Sequence, residues 1–181
     1  LQSTNSFYSV IPLSSKVDFD PNTDFVPLCV FGFAPMVIAA NPSTGATSLA
    51  QLVEVAKSRG EPLAYGTAGK GTVGNLCGRW LADRTGIELL HVPYKGATEA
   101  LQACLSDEVQ LFFGPESIEP IKAGSLNGIA VIGDNRAVLL PDLPTTAEAG
   151  VTGWAPRSWH TLTLLSAVPE VPSTIWPRGC T

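Results

Sequence analysis

From Ser48 onward the apolar positions alternate between helical and strand spacing, the pattern of a parallel or mixed sheet covered by helices. Leu49, Leu52, Val53 and Ala56 make one stripe. Ser48 and Gln51 stand at capping-box spacing before it, and Gly60 is placed to close the helix in a left-handed conformation. Residues 63–66 then read as a short buried strand. Val73, Leu76, Cys77, Trp80 and Leu81 follow the i, i+3, i+4, i+7, i+8 series of a helix with one face on a sheet, ended by Gly86. Residues 87–94 read as a second strand, Ala97, Ala100, Leu101, Cys104 and Leu105 as the next helix, and residues 109–113 as a third strand. A short helix over 117–123, stopped by Gly124, precedes a strand at 126–132. Beyond it the rhythm weakens: residues 145–150 look like one or two helical turns with a hydroxyl cap, and 158–167 like a last strand. Upstream, residues 25–40 hold two apolar runs divided at Gly32 and Pro35.

These elements divide the chain into an αβ lobe over 41–156 and two arms, 1–40 and 157–181, that are too short to close a second core of ordinary size. The arms read as crossovers and part of another lobe. No repeat of fixed period is visible.

Composition narrows the function classes. The 181 residues are 45% hydrophobic and 15% charged, so a substantial core is expected and disorder is not. A net charge of -5 leaves no basic footprint for nucleic acid, and His91 and His160 are too far apart for a histidine-rich metal site. The apolar stretches at 31–40 and 162–168 are too short to span a bilayer. Cys29, Cys77, Cys104 and Cys180 form no C-x-x-C pair; Cys77 and Cys104 fall on apolar helix faces, as buried small hydrophobes do. Leu1 opens the chain with no basic start and no cleavage pattern, so the sequence reads as a fragment or a mature piece.

The most informative local feature is the stretch from Tyr65 to Asn75, Tyr-Gly-Thr-Ala-Gly-Lys-Gly-Thr-Val-Gly-Asn, which leaves a strand and enters a helix. Gly66, Gly69 and Gly71 permit positive φ and close approach of a ligand, while Thr67 and Thr72 add hydroxyls beside the unpaired N–H groups of a helix start. Charge-assisted bonds of about 1.5–3 kcal/mol each could hold an anion there despite the net charge. The local sequence leaves a second reading open, a tight turn with Thr72 as an ordinary N-cap. Gly69-x-Gly71-x-x-Gly74 also matches the dinucleotide fingerprint, which makes a nucleotide-binding Rossmann-like enzyme the alternative. However, the following strand ends His-Val-Pro-Tyr-Lys, without the acidic residue that would hold a ribose. A Walker loop fails because Gly71 follows Lys70. With no G-x-S-x-G, no H-E-x-x-H and no paired acid and base, no enzyme activity and no cofactor are expected. His91, inside an apolar strand, reads as a core or hydrogen-bonded histidine, and Lys95 as a solvated loop charge.

The ordered set of segments resembles the periplasmic solute-binding receptors of tripartite tricarboxylate transporters, the Bug family. It runs through residues 20–27, 37–42 and 65–76, His91-Val-Pro-Tyr-Lys-Gly96, Ile121-Lys-Ala-Gly124, residues 140–145, Ala147-Glu-Ala-Gly150 and Ser158-Trp159. The resemblance implies an α/β fold of the type II periplasmic-binding-protein kind, with crossings near 38–42 and 156–161 and a small organic acid in the cleft between two lobes. It further implies delivery to membrane transporter subunits from an extracytoplasmic position. A ligand carboxylate would meet Gly66, Thr67, Ala68, Gly69, Gly71 and Thr72, with Tyr94, Lys95, Gly96, Phe113, Gly114, Ser158 and Trp159 close to the cleft. Family members commonly carry a histidine where this chain has Asn75 and often an acidic residue near Gly114, so the family's ligand preference does not transfer.

Overall fold

A computed structural model describes residues 2–4, 8, 12 and 16–167 of the chain. Cys180 and the other residues of the final segment after 167 lie outside the described residues. The chain divides into two compact units, one of Leu1–Gly32 with Trp159–Thr181 and one of Phe33–Ser158.

In the first unit, β1 (Gln2–Thr4) pairs antiparallel with β8 (Arg157–Leu165), which lies between β1 and β2 (Phe25–Pro35) in a three-stranded sheet. β2 runs unbroken through Gly32, where the sequence suggested a division, because extended backbone accepts glycine and no Cβ is required there.

The second unit carries a five-stranded sheet. Its strands are β3 (Val37–Ala40), β4 (Leu63–Thr67), β5 (Leu89–Pro93), β6 (Leu111–Phe113) and β7 (Asn127–Val131), in the order β5-β4-β6-β3-β7. β4 is parallel to β5 and β6, whereas β3 is antiparallel to both β6 and β7. Hence β4, β5, β6 and β7 all point the same way and their C-terminal ends share one edge.

Four helices connect or flank these strands: α1 (Leu49–Ser58), α2 (Val73–Thr85), α3 (Ala97–Leu105) and α4 (Ile118–Lys122). Leu49 and Leu52 of α1 and Cys77 and Leu81 of α2 pack with Ile38, Ala40, Tyr65, Leu111 and Phe113 in one apolar cluster. Ala100, Leu101 and Cys104 of α3 pack with Ala39 and Phe112 in another. Alternate residues of β3 and β6 therefore enter cores on opposite faces of the sheet, which is why Val37–Ala40 and Leu111–Phe113 are continuous apolar runs rather than alternating ones. Cys77 and Cys104 are buried free thiols, and burial pushes the Cys104 thiol up to about 12.

Several local expectations are refined. Val37–Ala40 lies inside this sheet, hydrogen-bonded on both sides, where the resemblance suggested a crossing. Ser48 caps α1 by accepting from Gln51 N, but Arg59, in extended backbone, closes it; Gly60 is not left-handed. Gly86, at φ 68°, closes α2 as expected. Residues 145–150 carry the reciprocal contacts of a capping box, Thr145 N to Glu148 Oε2 and Glu148 N to Thr145 Oγ1, yet form turns and no helix. Gly150, at φ 84°, ends the segment before a second helical turn can form.

Candidate functional site

In open α/β sheets ligands bind outside the carboxyl ends of the strands. On this sheet that edge carries the turns after β4, β5, β6 and β7.

The turn after β4 is the most highly specified. β4 leaves the sheet at Thr67, and Gly69 and Gly71 adopt φ 124° and 75°, which residues bearing a Cβ rarely adopt. Thr72 then begins α2, its hydroxyl accepting from Asn75 N at 3.4 Å and donating to Gly69 O at 2.9 Å. Asn75, only 7% exposed, reaches back along the helix start: its Oδ1 accepts from Gly71 N at 3.2 Å, and its Nδ2 donates to the Tyr65 hydroxyl at 3.1 Å. Thr67 Oγ1 accepts from Gly69 N at 3.2 Å and stands 3.1 Å from Gly69 O. It also lies 2.6 Å from His91 Nε2. A hydroxyl has one hydrogen, so the imidazole tautomer decides whether Thr67 donates it to Gly69 O, with His91 Nε2–H as donor across the contact, or to Nε2. Burial, with the nearby Lys70 charge second, holds the His91 imidazole below its ordinary 6.5.

Two further glycines fix how closely α2 approaches the sheet. A Cβ on Gly74 would stand 2.7 Å from Phe113 O, and one on Gly78 would stand 2.4 Å from the ring of Tyr65. Gly74 thus performs the close-packing task that the third glycine has in the dinucleotide fingerprint. The ribose-binding acid of that fingerprint has no counterpart, because β5 is Leu-Leu-His-Val-Pro.

The remaining expected site residues are placed as follows. Tyr94 N donates to Thr67 O at 2.9 Å, which sets the turn after β5 against the glycine turn. The Tyr94 hydroxyl donates to Glu108 beyond the C-terminus of α3, so the side chain lies along that helix rather than at the glycine turn. Lys95 is exposed, its N–H donating to Glu99, and Gly96 is the N-cap of α3. Phe113 is 3% exposed and meets Tyr65 edge-on at 5.4 Å, so its side chain belongs to the core beneath the turn. Gly114 is buried and donates to Val37 O at 3.0 Å. Gly66, Thr67, Ala68, Gly69, Gly71, Thr72, Tyr94, Lys95, Gly96, Phe113 and Gly114 therefore share one edge of the sheet. Ser158 and Trp159 lie in β8, where the chain passes from one unit to the other, and Trp159 stacks on Tyr8 at 5.8 Å.

After β7 the same edge opens into a cavity of about 350 Å³, whose lining includes Pro35, Ile118, Ile132, Ala137, Leu139 and Pro156. Asp134, Asn135, Arg136 and Arg157 also border it, so its lining mixes apolar and charged side chains. Among the described residues, no three metal-ligating side chains gather, and no helix is long and apolar enough to cross a membrane.

His91 and Asn75 were missed as supports of the turn. Asn75 sits three residues after the Thr72 cap, a spacing that brings its side chain back over the turn. His91 becomes visible only through the register that sets Tyr65 beside it.

Residues 1–174 match the family model described as tripartite tricarboxylate transporter family receptor. A protein of Agrobacterium vitis encoded in the TAR-I ttuE-ttuC' intergenic region is 32% identical over 152 residues, 83% of this chain and 44% of that protein. Among solved structures, Rpa4515 of R. palustris with adipate is 31% identical with a TM-score of 0.86, covering 93% of this chain and 57% of that one. The periplasmic binding protein BugD is 28% identical with a TM-score of 0.84, over 93% and 57% of the two chains. The fold is thus that of periplasmic binding proteins, and the chain spans about half the length of these relatives.

Proposed function

Since the chain belongs to the tripartite tricarboxylate transporter receptor family, we propose that it forms the carboxylate-gripping part of an extracytoplasmic solute receptor. It binds a small organic acid without covalent chemistry and hands it to membrane transporter subunits. The turn after β4 is the anchor. Gly69 N and Gly71 N are already taken by Thr67 and Asn75, which fixes the backbone. The N–H groups left for a ligand carboxylate are those of Ala68, Lys70, Val73 and Gly74, at the positive end of α2. Gly66, Thr67, Gly69, Gly71 and Thr72 shape this cradle. Lys95, Gly96 and Gly114, the backbone of Tyr94 and Phe113, and Ser158 and Trp159 complete the set proposed to stand around the ligand.

The observation that carries this reading is the self-supported turn with two positive-φ glycines. Its contacts hold the cradle open before any ligand arrives, so little ordering entropy is lost on binding. Two or three charge-assisted bonds of about 1.5–3 kcal/mol outweigh the long-range repulsion from a net charge of -5, which salt screens beyond about 8 Å. The adipate of Rpa4515 supports a dicarboxylate as the ligand class.

A thermal-shift panel on the full-length protein tests the proposal, with succinate, glutarate, adipate and pimelate set against NAD and ATP. Stabilisation by at least one dicarboxylate is expected. Stabilisation by a nucleotide alone would transfer the glycine turn to the nucleotide-binding enzyme reading.

A further inference from the structure

The contact between Thr67 and His91 has a consequence for how an anion would be held. Thr67 Oγ1 accepts from Gly69 N and meets Nε2 at 2.6 Å, so the imidazole is a structural member of the turn through Nε2. The groups facing the ring are Thr67 and Tyr65 from β4, with Tyr65 at 5.0 Å between ring centroids, and Lys70 from the turn. α2, which packs on β5, brings the Arg79 charge to bear on Tyr65, and the ion pairs among the described residues leave no carboxylate bonded to the imidazole. The imidazole thus has a cationic neighbour and no anionic one, directly under the place proposed for a carboxylate.

We propose that His91 is a positioning residue of the glycine turn and that carboxylate binding there is linked to proton uptake by its imidazole. The inference rests on the carboxylate reading above. Thr67 Oγ1 can accept from Nε2–H in the imidazolium and either donate to or accept from Nε2 in the neutral ring, so the turn keeps its shape while the charge beneath it changes. Without ligand, burial and Lys70 both disfavour the imidazolium. A bound carboxylate offsets both, which raises the imidazole's affinity for a proton. The added affinity is fully present below the ligand-free pKa of His91, which itself lies below 6.5, and is lost as pH rises through the higher ligand-bound pKa.

Calorimetric titration of the full-length protein with adipate between about pH 5 and about pH 8 tests this, in wild type and in His91→Gln, which keeps an N–H donor but cannot titrate. Because adipate's own titration is common to both, the ratio of their affinities isolates the imidazole. That ratio should shift by about threefold or more toward wild type as pH falls, for one added charge close to the ligand. The His91 ring resonances of the wild type give an independent readout: their titration midpoint should rise when adipate is added. Parallel pH profiles and an unmoved midpoint, with adipate bound, would overturn the linkage alone. Failure of adipate, succinate, glutarate and pimelate alike to bind at any pH would overturn the carboxylate reading and this inference with it.

Discussion

The turn after β4 and the segment after β7 leave the same edge of the five-stranded sheet, but different contacts fix them. Around residues 67–75 the ties run from buried or half-buried side chains to backbone: Thr67 to Gly69, Thr72 to Gly69, Asn75 to Gly71. Around residues 133–148 the buried side chains of Thr145 and Thr146 make two ties of that kind, accepting from Glu148 N and Gly133 N. The more visible contact there is Arg136 with Glu148 at 3.0 Å, whose side chains are 45% and 46% exposed. Contacts of the first kind are less open to salt than an exposed ion pair is, and they fix the backbone of the turn. The exposed ion pair of the second region closes a loop that borders the cavity after β7 and is screened by salt. Two turns on one edge can therefore differ in role without differing in regularity.

The sharpest way to break the first region is from beneath. Gly78→Val would drive a side chain into the Tyr65 ring, which is 2% exposed and held by Asn75 and Phe113. Removing a helical glycine gains about 1 kcal/mol at most, whereas overpacking costs about 1–3 kcal/mol, here at the upper end because the obstacle is a pinned ring. Urea denaturation should show a net loss of about 2 kcal/mol or more; an unchanged midpoint would mean that Tyr65 is free to move. Asn75→Ala should cost about 1–2 kcal/mol by the same measurement, since it strands Gly71 N and removes the donor to the Tyr65 hydroxyl, which keeps its bond to the residue 75 carbonyl.

At the turn itself, Gly71→Val should weaken dicarboxylate binding by about tenfold or more, because φ 75° strains a β-branched residue and tilts the cradle. Lys70→Ala, an exposed and screened charge, should weaken it by no more than about threefold. Equal losses would mean that side-chain charge holds the ligand. Arg136→Ala in the second region should change least. Its partner Glu148 is held below the ordinary carboxylate value by Thr145 N first and by Arg136 second, so the larger tie survives the substitution. The stability Glu148 contributes is present above the unfolded-state pKa and fades as pH falls through the lower folded-state value. Acid denaturation of Arg136→Ala should therefore track wild type closely, and a large early loss would show that the ion pair governs the segment.

How much of this was legible beforehand follows from which contacts are local. α2, its Thr72 cap and its Gly86 terminus were readable because periodicity and capping are decided within a few residues of chain. The positive φ of Gly69 and Gly71 was readable for the same reason. Val37–Ala40 was not, since a four-residue apolar run after Pro35 gains its identity only from β6 and β7, far along the sequence. Residues 145–150 show the converse: the capping contacts form as their spacing suggests, but Glu148 is drawn to Arg136 and Gly150 ends the turn, so no helix follows. The His91 to Thr67 contact depends on the parallel register of β4 with β5, which no local pattern contains.

The central claim is that backbone N–H groups of the turn after β4 hold a ligand carboxylate. Following the amide resonances of the full-length, nitrogen-labelled protein during a titration with adipate tests it most directly. The largest downfield amide shifts are expected at Ala68, Lys70, Val73 and Gly74, saturating together, with residues 133–139 little changed. Saturable shifts concentrated instead around the cavity after β7, with the glycine turn unmoved, would contradict it.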